Sequence, residues 1–137
     1  MKQKILVIGS QGYIGSKLMV ILKNNNFLCE GIDIGYFKKG KIGKIFSDQD
    51  RFGDANKISE SYIKKFKTVI QLADFSNDSI NKVNPKKFYG KTKKYTIKIA
   101  KICKKFNIKF IYPSSCSVYG IGKKALDEKS SVNPQTY

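Results

Sequence analysis

Lys4-Ile5-Leu6-Val7-Ile8-Gly9-Ser10-Gln11-Gly12-Tyr13-Ile14-Gly15 runs from an unbroken apolar stretch, through glycines set three apart, into an amphipathic stretch. That order predicts a strand, a tight phosphate loop and a helix: the opening of a dinucleotide-binding βαβ unit. Each glycine has a separate reason. Gly9 can take the backbone angles of a tight strand-to-helix turn. Gly12 puts no side chain between the main chain and a pyrophosphate. Gly15 lets the helix approach the strand, and the first helical N–H groups then face the phosphates.

Working outward, the next apolar run is Phe27-Leu28-Cys29-Glu30-Gly31-Ile32-Asp33-Ile34, which ends near Asp33. This is roughly the twenty-residue offset at which a carboxylate accepts hydrogen bonds from an adenosine ribose. The alternative is a glycine-rich turn in some other α/β protein with a surface aspartate. A carboxylate at position 33 repels a 2′-phosphate and so favours NAD over NADP. Lys38 and Lys39 stand close enough in sequence to offset that preference.

The rest of the chain alternates strand and helix. Lys4–Ile8 reads as a first strand and Tyr13–Lys23 as a helix with Ile14, Leu18, Ile21 and Leu22 on one face. Leu28–Ile34 is a second strand, Ile45–Asp48 a short third, Ile58–Phe66 a short helix and Thr68–Ala73 a fourth strand. Pro85 opens a long lysine-studded helix running to about Phe106, with Ile97, Ala100 and Ile102 among its inward residues. Phe110-Ile111-Tyr112-Pro113 is a fifth strand that delivers Ser114-Ser115-Cys116-Ser117-Val118-Tyr119-Gly120. Alternating βα units with short loops imply a parallel, doubly wound sheet.

Length and composition bound the function. At 137 residues the chain makes one domain with a real core. It has no apolar run long enough to span a bilayer and no signal-peptide pattern. Cys29, Cys103 and Cys116 are scattered and show no metal-ligand spacing, which with the other features points to a cytoplasmic protein with reduced thiols. The net charge of +17 invites a nucleic-acid reading, but Arg51 is the lone arginine and the lysines are spread over many surfaces. Nucleic-acid readers use arginine for bidentate and stacked contacts. The expectation is no specific nucleic-acid partner and a positive surface that steers an anionic substrate.

Along its whole length the chain resembles the extended short-chain dehydrogenase/reductases, the NAD-dependent epimerase/dehydratase family that works on nucleotide sugars. The glycine spacing matches that family's motif. Gly53-Asp54 looks like its Gly-Asp element, Val69-Ile70-Gln71-Leu72-Ala73 its strand-four motif, and Ser114-Ser115-Cys116-Ser117-Val118-Tyr119-Gly120 its strand-five active-site signature. The resemblance implies a Rossmann-like sheet over 1–137, incomplete at its C-terminal side. It implies a cofactor site from Gly9, Gln11, Gly12, Tyr13, Ile14, Gly15, Asp33, Asp54 (on the adenine), Ala55, Leu72 and Ala73. It also implies a catalytic Ser115, four residues before Tyr119, hydrogen-bonded to the reacting sugar oxygen, and a nucleotide-sugar substrate with a homodimeric full-length relative.

The sequence also departs from the family. Gln71 stands where the strand-four motif has His, and Thr92 where the following helix has a frequent Asn. The family's reaction needs a Tyr-x-x-x-Lys pair, because a phenol of pKa about 10 needs help at neutral pH. Asn133-Pro134-Gln135-Thr136-Tyr137 looks like the approach to that motif. On one register the catalytic tyrosine is the residue after Tyr137; on the other it is Tyr137 itself. Either way no lysine follows at the required spacing. The expectation is a cofactor-binding half that does not turn over substrate alone. The rival readings are a non-catalytic NAD-binding module and a basic nucleic-acid-binding domain.

Overall fold

The computed structural model describes residues 3–36, 50–74, 85–122 and 125–135. Among these residues five parallel strands form one sheet: β1 (Lys4–Ile8), β2 (Leu28–Asp33), β3 (Asp50–Phe52), β4 (Thr68–Gln71) and β5 (Lys109–Ile111). Their order is β3-β2-β1-β4-β5. Ile5 pairs with Cys29 on one side and Thr68 on the other, so β1 is central. A strand buried on both faces reads as an unbroken apolar run, which is what Ile5 to Ile8 shows. Alternation then divides its side chains between two cores. Ile5 and Val7 join Met19, Leu22, Cys29 and Ile70. Leu6 and Ile8 join Ile32, Ile63, Phe66, Val69, Tyr95 and Ile99.

Among the described residues, α1 (Tyr13–Asn24), the single-turn α2 (Glu60–Ile63) and α3 (Pro85–Lys105) cover these faces. After β1 the chain crosses to β2, and after β4 it crosses the other way to β5. The topological switch point therefore lies between β1 and β4, where open α/β sheets leave a crevice beyond the strand ends.

Several boundaries and faces differ from expectation. The expected strand at Ile45–Asp48 lies outside the described residues, and the observed third strand is Asp50–Phe52. The helix expected over Ile58–Phe66 is the shorter α2 within that span, and a 3₁₀ turn, Ala55–Lys57, precedes it. Ser59 divides them: its side chain accepts a hydrogen bond from the Tyr62 N–H and starts the helix late.

In α1 the buried stripe is Gly15, Ser16, Met19 and Leu22, while Ile14 and Ile21 face outward. The helix is seated by Gly15, whose absent Cβ would stand 2.1 Å from the Gly9 carbonyl oxygen. That contact turns the stripe partly away from the one that hydrophobicity alone selects. In α3 the stripe is Tyr95, Ile99, Ile102 and Cys103; Ile97 lies off it and is 43% exposed.

Candidate functional site: a phosphate-type loop at the switch point

The site grows from the end of β1. Gly9 has φ +88°, and a Cβ there would stand 2.6 Å from the Ala73 nitrogen. Both the turn and the close approach of the β4 end exclude a side chain. The Gly9 N–H donates to the Ile32 carbonyl at 2.8 Å, and the Leu72 N–H donates to the Ile8 carbonyl at 2.7 Å. The turn is thus fastened to both neighbouring strands. Ser10 and Gln11 are buried with it.

Gly12 differs from its partners. It has extended backbone angles, φ −73° and ψ 177°, which any residue adopts. A Cβ there meets only the Gly9 carbonyl oxygen, at 3.4 Å. Among the described residues neither the backbone angles nor a close neighbour calls for glycine at position 12.

Gly12 is also the N-cap of α1, with no side chain to cap the orphan N–H groups and no acidic residue in the first turn. The N-terminus of α2 is handled the opposite way, with Ser59 as cap and Glu60 in the first turn. An uncapped helix start with its positive dipole end at a strand edge suits a phosphate-sized anion. A pyrophosphate therefore fits this loop. Tyr13 and Ile14, in the first turn of α1, are 92% and 61% exposed.

Asp33 lies beside the loop, as the sequence spacing requires, and it does more than the spacing reveals. One carboxylate oxygen accepts from the Gln11 N–H at 2.9 Å, and the other accepts from the Gly35 N–H at 2.8 Å. The carboxylate therefore latches the glycine loop to the end of β2. A carboxylate has about four acceptor positions, so capacity for ribose hydroxyls remains on both oxygens. Sequence reading missed the latch because its partners are backbone groups 22 residues away and within the following turn.

Asp54 follows β3. The Gly53 N–H donates to the Asp33 carbonyl at 2.8 Å, which brings the two strand ends together. One Asp54 oxygen accepts from both the backbone N–H and the side-chain amide of Asn56, each at 2.8 Å. These bonds hold its carboxyl below the usual range. Ala55 begins the 3₁₀ turn that Asp54 caps. Leu72 and Ala73 lie at the end of β4, half-buried.

Gln71 is wholly buried, and its amide nitrogen donates to the Ala73 carbonyl at 2.9 Å. The same carbonyl accepts from the hydroxyl of Tyr95 in α3. Burial, chiefly, pushes the Tyr95 phenol up to about 12, so it stays a donor. Thr92, one turn earlier, is also buried. No sequence signal marked Tyr95, because its partner is a backbone carbonyl.

The strand-five loop is built differently. Ser115 is exposed and caps the short 3₁₀ helix Cys116–Tyr119, accepting from the Ser117 N–H at 3.3 Å. Its Oγ lies 2.7 Å from the Ser117 Oγ. Gly120 has φ +70°, and a Cβ there would stand 2.0 Å from the Asn133 carbonyl oxygen. The Asn133 N–H in turn donates to the Val118 carbonyl at 2.8 Å, so the approach to Tyr137 folds back over this loop. Tyr137 itself lies outside the described residues.

Loop, acidic partner and strand order together define a dinucleotide-type α/β domain. The chain belongs to the NAD dependent epimerase/dehydratase family, which it matches over residues 5–137. It is 30% identical over 138 residues to the bifunctional polymyxin resistance protein ArnA of Wigglesworthia glossinidia brevipalpis, covering 94% of this chain and 20% of that protein. Its fold superposes on the UDP-N-acetylglucosamine 4-epimerase of Methanobrevibacter ruminantium M1, solved with UDP-N-acetylmuramic acid. The TM-score is 0.84 at 24% identity over 99% of this chain and 46% of that one. It also superposes on MoeE5, solved with UDP-glucose and NAD, with a TM-score of 0.81 at 22% identity over 97% of this chain and 43% of that one. The chain thus spans less than half the length of these solved relatives. Among the described residues no helix is long and apolar enough to cross a membrane.

Proposed function

We propose that residues 1–137 are one NAD-binding domain of a nucleotide-sugar epimerase/dehydratase. The observation that carries this reading is the start of α1: a helix N-terminus with no cap and no acid, behind a glycine that neither its backbone angles nor a close neighbour among the described residues requires. Backbone N–H groups of this loop would hold the pyrophosphate and Asp33 the adenosine ribose, while Asp54 and Ala55 lie toward the adenine. Gly9, Gln11, Gly12, Tyr13, Ile14, Gly15, Leu72 and Ala73 line the path between. The MoeE5 complex, which contains NAD, supports the choice of cofactor. Asp33 supports NAD over NADP, since a carboxylate repels a 2′-phosphate. When bound, NAD supplies a hydride acceptor.

Ser115 is the residue of this chain that would hydrogen-bond a sugar hydroxyl. Its hydroxyl is exposed and committed only to its own turn. The chain spans less than half the length of the solved epimerases it superposes on, and residues 1–137 alone are expected to bind NAD without turning over nucleotide sugars. The three free cysteines support a reducing, cytoplasmic setting. The lysine-rich surface steers anionic nucleotides and gives only weak, salt-labile contact with nucleic acid. Homodimerisation belongs to the assembled enzyme. Titration calorimetry with NAD and NADP, on the parent and on Gly12→Ala, tests the reading. Saturable NAD binding that Gly12→Ala weakens supports it, and no saturable binding by the parent overturns it.

A further inference from the structure

We infer that Tyr95 and Lys98, one turn apart on α3, are positioning residues that tie the end of β4 and the turn after β3 to one helix and so hold the spacing of these two segments across the proposed cofactor site. This rests on the cofactor reading above. The two residues lie three apart and therefore project from the same side of the helix. The Tyr95 hydroxyl donates to the Ala73 carbonyl at the end of β4. The Lys98 ammonium donates to the Asn56 and Ile58 carbonyls, at 3.1 and 3.0 Å, at the end of the 3₁₀ turn that Asp54 begins. The Ala73 backbone stands against Gly9, and the Asp54–Lys57 turn follows β3, where the Gly53 N–H donates to the Asp33 carbonyl at the end of β2.

The Lys98 tether acts on carbonyls that the 3₁₀ turn leaves open, and the Tyr95 tether adds a second donor to a carbonyl that Gln71 already reaches. The carbonyls at the end of a 3₁₀ turn have no partner within it, and a cation suits that end of the turn's dipole. The Ala73 carbonyl faces the protein interior, where an unpaired acceptor is costly. It receives Gln71 from its own strand and Tyr95 from α3. The Gln71 bond spans two residues and cannot fix β4 relative to anything else. The Tyr95 bond spans 22 residues and can. Because the Ala73 backbone closes on Gly9, a shift of Ala73 reaches the phosphate loop directly.

Tyr95→Phe and Lys98→Met keep shape and apolar stem and remove only the donors; Lys98→Arg keeps the cation. The measurements are NAD affinity by calorimetry, melting temperature, and amide exchange of the NAD-free protein read at residues 53–58 and 72–74. The expected result is faster exchange confined to 72–74 in Tyr95→Phe and to 53–58 in Lys98→Met. NAD affinity should fall about threefold to tenfold in each, as loss of one or two net hydrogen bonds gives, with melting little changed and affinity restored in Lys98→Arg. If the parent binds NAD and either donor-deleted variant binds it equally well, this inference fails alone. A uniform rise in exchange with lowered melting also overturns it, by showing a merely structural role. A parent that binds no NAD sinks the functional reading, and this inference with it.

Discussion

The glycine loop after β1 and the serine loop after β5 sit at the same edge of one parallel sheet, yet they are built on opposite terms. The first is buried, bonded to β2 and β4, and latched by Asp33. The second is exposed, and Ser115 bonds only within its own turn. The difference follows from strand position. β1 is central and has neighbours on both sides, whereas among the described residues β5 has only β4 beside it. A loop between two strands can borrow their backbone groups; a loop at an edge must satisfy itself. The backbone of the first loop is therefore fixed by its neighbouring strands, and that of the second is not.

The largest effect should come from breaking the first loop outright. Gly9→Ala forces a side chain into positive φ and against the Ala73 backbone. Strain and overpacking together should cost roughly 2–5 kcal/mol. Urea denaturation should show that loss together with loss of NAD binding. A parent-like midpoint would mean that the two loops are equally tolerant.

Gly12→Ala should separate ligand from fold. Its Cβ has room, so stability should change by less than about 1 kcal/mol, while NAD affinity falls at least about tenfold, or 1.4 kcal/mol. Gly12→Val should abolish binding. Undiminished affinity in either variant would show that the pyrophosphate lies elsewhere.

Asp33→Asn sharpens the comparison further, because Asp33 serves both loop and ligand. The amide keeps one acceptor for the Gln11 or Gly35 N–H and loses the charge. NAD should weaken about threefold to tenfold, as for loss of a charge-assisted hydrogen bond, and its advantage over NADP should narrow. An unchanged NAD-to-NADP ratio in competition titrations would remove Asp33 from the ribose.

Ser115→Ala should act weakly on this polypeptide. Loss of a cap on an exposed single turn costs up to about 1 kcal/mol, and NAD affinity should stay within about twofold. Incubation of the parent with NAD and UDP-, GDP- or dTDP-sugars should yield neither NADH absorbance nor altered sugar. Turnover that Ser115→Ala abolishes would erase the contrast between the loops.

The smallest effect sets the conditions for all of these. Burial acts to raise the Glu30 carboxyl, but hydrogen bonds from Lys4 at 2.9 Å and Tyr62 at 2.8 Å outweigh it and hold it below its ordinary value. A lowered folded-state pKa adds stability above the ordinary carboxylate range, and this is lost as pH falls through the lowered value. Melting temperature should therefore decline from pH about 7 to about 3, less steeply in Glu30→Gln. Equal slopes would show that the contact contributes nothing.

Much was legible in the residues themselves. Gly9, Gly15 and Asp33 act through backbone conformation, close approach and a fixed chain offset, and each leaves a mark at its own position. The alternation of βα units likewise determines a parallel sheet, because short right-handed crossovers permit little else. The face of α1 was legible only in part: Leu22 is buried and Leu18 packs against the core as hydrophobicity marked them, while Ile14 and Ile21 face outward and Met19 takes the buried position beside the Gly15 contact. The latch by Asp33, the tethers from Tyr95 and Lys98, and the fold-back of Asn133 over Gly120 were not legible. All of these end on backbone carbonyls or N–H groups, which every residue carries and no sequence distinguishes. Only the folded chain decides which of those identical groups comes within reach of a given side chain.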